Sequence, residues 1–270
     1  MVRRVVYALV LLGFAGGLVK VLGGMLHGSR SLLVDALTSF ANIVALLATI
    51  KFYRASLQPP DTDHPYGHSR LGFGGTMVTM IAYGYVAGIA SMELVRSTKY
   101  VVDIDAVYYA LLGLAIYGSV VAITLRLGGF FKAYGVFTIS ELYESLVVLA
   151  AVVAGAIYSY IIDYIGAIGL TLYIFYELVA IGRETFAILV DRSAPSKLIS
   201  SVRKTFEEKG YQVKELRVRR IAHDQYHGDI RVKPKNRKDP NTLYREIREL
   251  KERLKEKHKL DLIVEVEPEE

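Results

Sequence analysis

Apolar positions dominate the chain as far as Val190, and from Arg192 onward they give way to short alternating stretches set among charges. Crossing about 30 Å of hydrocarbon at 1.5 Å per residue takes about 20 apolar residues. Six stretches meet that length: 5–26, 31–53, 71–95, 106–125, 136–160 and 165–189. The first is too long for a signal peptide and too poor in a small-residue cleavage site, so it counts as a mature helix. Basic residues of the short connections set the orientation. Arg3, Arg4, Lys51, Arg54, Arg70, Arg126, Lys132, Arg183 and Arg192 fall on one side, against Arg30, Arg96 and Lys99 on the other. The expectation is a multi-pass protein of the cell membrane, embedded in a lipid bilayer, with N- and C-termini cytoplasmic.

The polar part has a different period. Pro195 suits the start of a helix running to about residue 209. Stretches 211–221 and 226–233 alternate as strands around the polar break at 223–225, and Asp239-Pro240-Asn241 opens a charged helix to about residue 258. A last strand covers 260–266. The order αββαβ in about 75 residues predicts a small α+β layer of helices on a sheet. The fold class is therefore an α-helical membrane protein, with six transmembrane helices over residues 1–192 and a small α+β domain over residues 193–270.

Composition sharpens this division. Hydrophobic residues make up 52% of the chain and mean hydropathy is +0.31, high for an ordinary soluble domain. Net charge is +6, and all of it lies from Arg192 onward, where 21 basic residues face 15 acidic ones, while the remainder balances. In the second polar helix Glu246, Glu249, Glu252 and Glu256 alternate with Arg and Lys at helical spacing, a self-paired solvated face rather than a nucleic-acid surface. No nucleic-acid partner is expected. No nucleophile motif, P-loop or dinucleotide fingerprint occurs, so no enzyme activity is expected. The chain has no Cys, which removes disulfides, thiolate zinc sites and cysteine nucleophiles together and leaves oxygen and imidazole to hold any metal.

Ionisable groups inside a span are costly and usually functional. The second span carries Asp35, Thr38 and Asn42 at i, i+3 and i+7, on one helix face; the fifth carries Ser140, Glu141, Glu144 and Ser145, with Ser140 and Glu144 at i, i+4. Two such helices facing each other would build a four-oxygen site in the middle of a bundle. A carboxylate two turns into a span costs about 2.5–3.5 kcal/mol on insertion scales, which singles out Glu144; the hydroxyls on their own suit interhelical hydrogen bonds. Lys20 reads as a snorkelling residue near the outer part of the first span, and Glu93, Arg183 and Glu184 as span-end charges. Tyr83, Tyr85, Tyr108, Tyr109, Tyr158, Tyr160 and Tyr164 read as interfacial belt or packing residues.

The connection after the second span, Ser56-Leu57-Gln58-Pro59-Pro60-Asp61-Thr62-Asp63-His64-Pro65-Tyr66-Gly67-His68-Ser69-Arg70, gathers two carboxylates and two imidazoles within eight residues. Asp61, His64 and His68 are candidate ligands, since imidazole and carboxylate hold borderline divalent ions without thiolate.

The run from Gly16-Gly17-Leu18-Val19-Lys20 through Gly28-Ser29-Arg30-Ser31-Leu32-Leu33-Val34-Asp35-Ala36-Leu37, followed by Pro60-Asp61 and His64-Pro65-Tyr66-Gly67-His68, resembles the cation diffusion facilitator family. Leu189-Val190-Asp191-Arg192 is similar to it as well. The resemblance covers the whole chain and implies a homodimer of six-helix protomers with a metallochaperone-like cytoplasmic domain, exporting divalent cations in exchange for protons. It further implies a transport site of two H/D-x-x-x-D pairs, on the second and fifth spans. The aligned positions here are Thr38, Asn42, Ser140 and Glu144, only one of them ionisable. Asp35 matches a family aspartate one turn earlier, and Glu141 supplies a second carboxylate if the fifth helix is rotated slightly. The loop site is retained as Asp61 and His68 with His64 beside them, and Arg70 and Asp191 resemble a charge interlock.

In the cytoplasmic domain, positions where relatives often place metal ligands hold Lys214, Arg231, Glu265 and Glu267, a set suited to salt bridges. His223 and His227 read as surface histidines. An oxygen-rich central site shifts the expected substrate toward manganese or iron, with zinc still possible. Two functions follow from the resemblance and the substituted centre: a divalent cation exporter working by proton antiport, with Glu144 as proton carrier, or a degenerate homologue that senses metal or partners a working transporter.

Overall fold

The computed structural model describes the backbone of residues 2–127, 129–222, 225–236 and 239–267, and the side chains at those positions except 2–4, 6, 127 and 129–138. The chain forms two compact units, Met1–Tyr53 with Gly74–Gly182 and Arg54–Phe73 with Arg183–Glu270.

Helices α1 (Val2–Leu26), α2 (Arg30–Ser56), α3 (Gly72–Arg96), α4 (Ala106–Leu127), α5 (Gly129–Ile157) and α6 (Tyr160–Leu189) account for the first unit. All six are long and apolar enough to cross a membrane. Their outward faces carry Leu11, Met25, Ile81, Leu111 and Leu172, all well exposed; water would penalise such a surface and hydrocarbon accepts it. Inside, small residues allow close approach: Ala41, Ala87, Ala90, Ala106, Ala110 and Ala167 are buried with Leu32, Val148, Val152 and Ile174.

The α5–α6 boundary differs from the sequence expectation. The turn falls at 158–159, and α6 begins five residues earlier than its apolar pattern suggests, at Tyr160. The Ser159 side chain accepts the Ile161 amide at 3.3 Å, the bond of an N-cap serine. That places Asp163 in the first turn of α6, a residue the hydropathy pattern had assigned to a loop.

Asp163 is fully buried and anchors α2. Its Oδ1 accepts from Ser29 Oγ at 2.7 Å and from Ser31 Oγ; its Oδ2 accepts from the backbone amide of Arg30 at 2.7 Å and from the Tyr100 hydroxyl at 3.0 Å. Ser29 also accepts the Leu32 amide at 3.2 Å. The first amides of α2, which have no partner in the helix, are thus met by a capping serine and a carboxylate at the positive end of the helix dipole. Arg30 turns to Glu93 of α3, so three helix ends are tied together at this point. Gly28 precedes the cap at φ 75°, where a Cβ would lie 2.3 Å from the Val101 carbonyl oxygen, so the close approach requires glycine.

In the second unit, helix α7 (Ser196–Glu208), strands β1 (Tyr211–Ala222) and β2 (Gln225–Pro234), helix α8 (Pro240–His258) and strand β3 (Leu260–Val266) reproduce the expected αββαβ order. The sheet order is β1-β2-β3, with β1 and β2 antiparallel and β2 and β3 parallel through the α8 crossover. Val202 and Phe206 of α7 and Leu250 and Leu254 of α8 bury against Tyr211, Ile230, Val232, Leu260 and Leu262. Asp239 caps α8, accepting the Asn241 and Thr242 amides, with Pro240 in the first helical turn.

Replacing Asp163 by Ala strands the Ser29 and Ser31 hydroxyls and an Arg30 amide, at about 1–3 kcal/mol for each buried donor left unmet. The expected result is a markedly lower melting midpoint for Asp163→Ala in detergent, by circular dichroism, with a smaller loss for Asp163→Asn, which keeps one acceptor oxygen.

Candidate functional site

The polar positions of α2 fall on its buried face: Ser31, Asp35, Thr38, Ser39 and Asn42 are all enclosed. Among the described residues of α5 the buried polar positions are Glu141 and Ser145, continued by Val148 and Val152. Ser140 and Glu144 sit beside them, half-buried. The rotation of α5 therefore presents Glu141 most deeply, as the resemblance allowed, with Glu144 at the edge of the same face. At 100° per residue, one helix cannot centre both carboxylates on one line.

Asn42 accepts a hydrogen bond at Oδ1 from the buried Tyr83 hydroxyl of α3, and its side chain also approaches Glu141. Tyr83 is thus a packing residue of this polar interior, the second of the two expected roles. Tyr85, Tyr108 and Tyr158, in contrast, are largely exposed, as belt residues should be. Thr38 and Ser39 donate their hydroxyls to the Asp35 carbonyl, each at 2.8 Å, which leaves their oxygen lone pairs free to accept. Both Glu141 carboxyl oxygens are buried without a hydrogen bond of normal geometry. A buried carboxylate left this way is costly, and a bound cation or proton would relieve it.

Lys20 overturns its sequence reading. It does not snorkel: it is fully buried, with its ammonium 2.9 Å from Asp35 Oδ1, 2.9 Å from Ser145 Oγ and 3.2 Å from Ser39 Oγ. Ser145 in turn donates toward Asp35 Oδ2 at 3.3 Å. The aligned run Gly16 to Asp35 held the signal for this pair, but the separation of fifteen positions between Lys20 and Asp35 hides a contact that only the α1–α2 turn creates.

In the second unit, Asp61, His64 and His68 bring ligand atoms within 4.8 Å of one another. Asp61 Oδ1 accepts the His64 amide at 2.7 Å and the Asp63 amide at 3.1 Å, a turn that holds the carboxylate in place. His68 is buried, and its Nδ1 lies 3.1 Å from the Pro59 carbonyl oxygen. A carbonyl only accepts, so Nδ1 carries a proton, and in the neutral ring Nε2 is the ligand atom, 3.4 Å from Asp61 Oδ2. This fixed tautomer is the one that metal-binding histidines use. The His64 and His68 rings lie 4.3 Å apart between centroids.

Asp191 receives Arg70 at 2.8 Å and Arg219 at 2.7 Å, which joins the loop, the end of α6 and β1. Arg219 had no signal in the sequence reading. Arg231 pairs with Glu265 at 3.0 Å and lies 3.8 Å from both Glu267 and Glu215, so Arg231, Glu265 and Glu267 form salt bridges. His227 meets the edge of Tyr66, while His223 lies outside the described residues. A second grouping that the sequence reading missed, His27 with Asp103 and Asp105, also gathers ligand atoms, although Asp103 already accepts the Asp105 amide.

Six membrane-crossing helices, an enclosed row of oxygen donors and a histidine–carboxylate loop define a multi-pass membrane protein built to handle cations. The chain belongs to the cation efflux, or cation diffusion facilitator, family: residues 5–190 match the family model described as the cation efflux transmembrane domain. It is similar to the cation-efflux pump FieF of Cronobacter sakazakii, 25% identical over 207 residues that cover 72% of this chain and 68% of the relative. It is also similar to the manganese efflux system protein MneS of Bacillus subtilis, 33% identical over 79 residues, or 29% of this chain and 26% of the relative. The magnetosome protein MamM of Paramagnetospirillum magneticum is 29% identical over 84 residues, 31% of this chain and 26% of the relative. These are transport-family proteins, and metal cation efflux is the activity of the family.

The His64 backbone amide, the largest influence on Asp61, holds its carboxyl below the usual value of 3.8. With the folded value below the unfolded one, the turn's contribution is complete above about pH 4 and is lost as pH falls through the lower folded value. A carbon NMR titration of labelled aspartate should place the Asp61 midpoint under 3.8, and Asp61→Asn should erase that transition.

Proposed function

We propose that this protein exports divalent metal cations by proton antiport, as a homodimer with its membrane domain over residues 1–192 and a cytoplasmic domain over residues 193–270, both termini in the cytoplasm. The observation that carries the reading is the buried pair of oxygen-bearing faces: Asn42 and Thr38 of α2, and Glu141 of α5 with both carboxyl oxygens enclosed and unmet. Ser140 and Glu144 lie half-buried at its edge and complete the donor set. Two carboxylates, an amide and hydroxyls are hard donors that suit manganese or iron better than zinc. The similarity to a manganese efflux protein supports the same direction.

In this reading the loop ligands Asp61, His64 and His68 hold the cation on the cytoplasmic side through the Nε2 lone pair that Pro59 leaves available on His68. The substrate then reaches Asn42 and Glu141, where its charge offsets the cost of enclosing a carboxylate. Helix rocking exposes the site to the far side, and protons taken up by Glu141 and Glu144 favour release and reset the empty site. A proton and a divalent ion compete for the same oxygens, and this competition is the coupling.

A second reading, a homologue that binds cations but no longer carries them, is favoured by one observation: the Lys20 ammonium sits among oxygens of the same interior. Flux separates the two. Proteoliposomes with an internal metal-sensitive fluorophore should show manganese entry driven by an opposed pH gradient. Glu141→Gln and Glu144→Gln should each reduce that flux at least about tenfold, equivalent to about 1.4 kcal/mol, and His68→Ala should weaken cytoplasmic-side uptake at low metal. Absence of flux for manganese, iron and zinc alike would leave only the non-transporting reading.

A further inference from the structure

Lys20 is surrounded as a bound cation would be. Its three ammonium donors meet three oxygens, from Asp35, Ser39 and Ser145. The Tyr117 ring closes a fourth side, 4.3 Å from Nζ to the ring centroid. A passage is kept clear for the stem: a Cβ at Gly113 of α4 would lie 2.9 Å from Lys20 Cγ and 3.0 Å from Cε, so the absent side chain makes the space that the lysine fills. No part of the residue reaches solvent.

This cage lies on the same helix faces as the proposed substrate site. Ser39 precedes Asn42 by three residues on α2, and Ser145 follows Glu141 by four on α5, so each cage oxygen sits one turn from a substrate oxygen. One turn is about 5.4 Å. The lysine charge acts on both Glu141 and Glu144.

We propose that Lys20 is a tethered cation that occupies part of the buried oxygen site, so that a divalent ion binds in competition with the lysine ammonium. This rests on reading the α2–α5 interior as the substrate site. Asp35 is withheld from the metal because Lys20 already holds it, and the fixed positive charge one turn away weakens metal binding and assists release. A pair that served only the fold would leave metal affinity untouched when its charge was removed.

The experiment uses full-length protein in detergent, with Asp61→Ala and His68→Ala silencing the loop, titrated calorimetrically with manganese and zinc. Lys20→Met and Lys20→Gln remove the charge, the second keeping an amide donor for Asp35; Lys20→Arg keeps the charge. The expected result is at least tenfold tighter binding in both neutral variants, with Lys20→Arg close to the parent. Where Lys20→Met does not fold, Lys20→Gln carries the test. A folded Lys20→Gln protein with unchanged or weaker affinity overturns the proposal and leaves the transport reading standing. So does a Lys20→Gln protein that fails to fold while Lys20→Arg folds, since the pair would then serve the fold alone. Binding too weak to detect in the parent that appears in the neutral variants supports the tethered cation and the interior as a cation site. Binding absent from every variant overturns both.

Discussion

A lysine ammonium and an aspartate carboxylate enclosed together in an apolar bundle constrain everything packed around them. Taking either charge out of water alone costs several kcal/mol, and their mutual attraction repays this only with good geometry and with the remaining donors and acceptors filled. Lys20 and Asp35 meet both conditions through Ser39 and Ser145. Three helices, α1, α2 and α5, are thereby held in one rotational setting, because turning α1 or α2 would strand a charge and turning α5 would remove the Ser145 hydroxyl that meets both. Gly113 and Tyr117 of α4 complete the enclosure. The same setting fixes which residues of α5 point inward.

A second fixed point lies at the start of α2, where Asp163 takes the helix amides and two serine hydroxyls. Capping and ion pairing act here at two levels along one helix. The first sets where α2 begins and the second sets which way it faces, so Asn42 arrives beside Glu141 without any preference of its own for that position. Glu141 is fully enclosed in this interior and its carboxylate has no hydrogen bond of normal geometry. A protein that tolerates this cost in its stable state has a group available for a proton or a cation, which is how buried carboxylates in transporters earn their function.

In the second unit the loop histidines are oriented by backbone groups instead of by other charges. The Pro59 carbonyl sets the tautomer of His68, and the amides of Asp63 and His64 hold Asp61. Asp191 binds both Arg70 and Arg219, which ties the loop to the strand that begins the sheet. These pairs are exposed and worth little individually; their effect is to fix geometry.

The sequence by itself determined the six spans, the order of the small α+β domain, the family, and the residue types available to a cation. Each of these depends on local pattern, on length against bilayer thickness, or on ligands close together in the chain, as with Asp61, His64 and His68. Tertiary structure decided the rest. Whether Glu141 or Glu144 lies deepest depends on a rotation of α5 that its own sequence leaves open, since both carboxylates lie on nearly the same face. The start of α6 depended on a serine cap that hydropathy does not register. Lys20, placed by pattern at a membrane edge, proved to sit in the interior, because a long polar side chain goes where its charge finds a partner, and that partner was fifteen residues away on another helix.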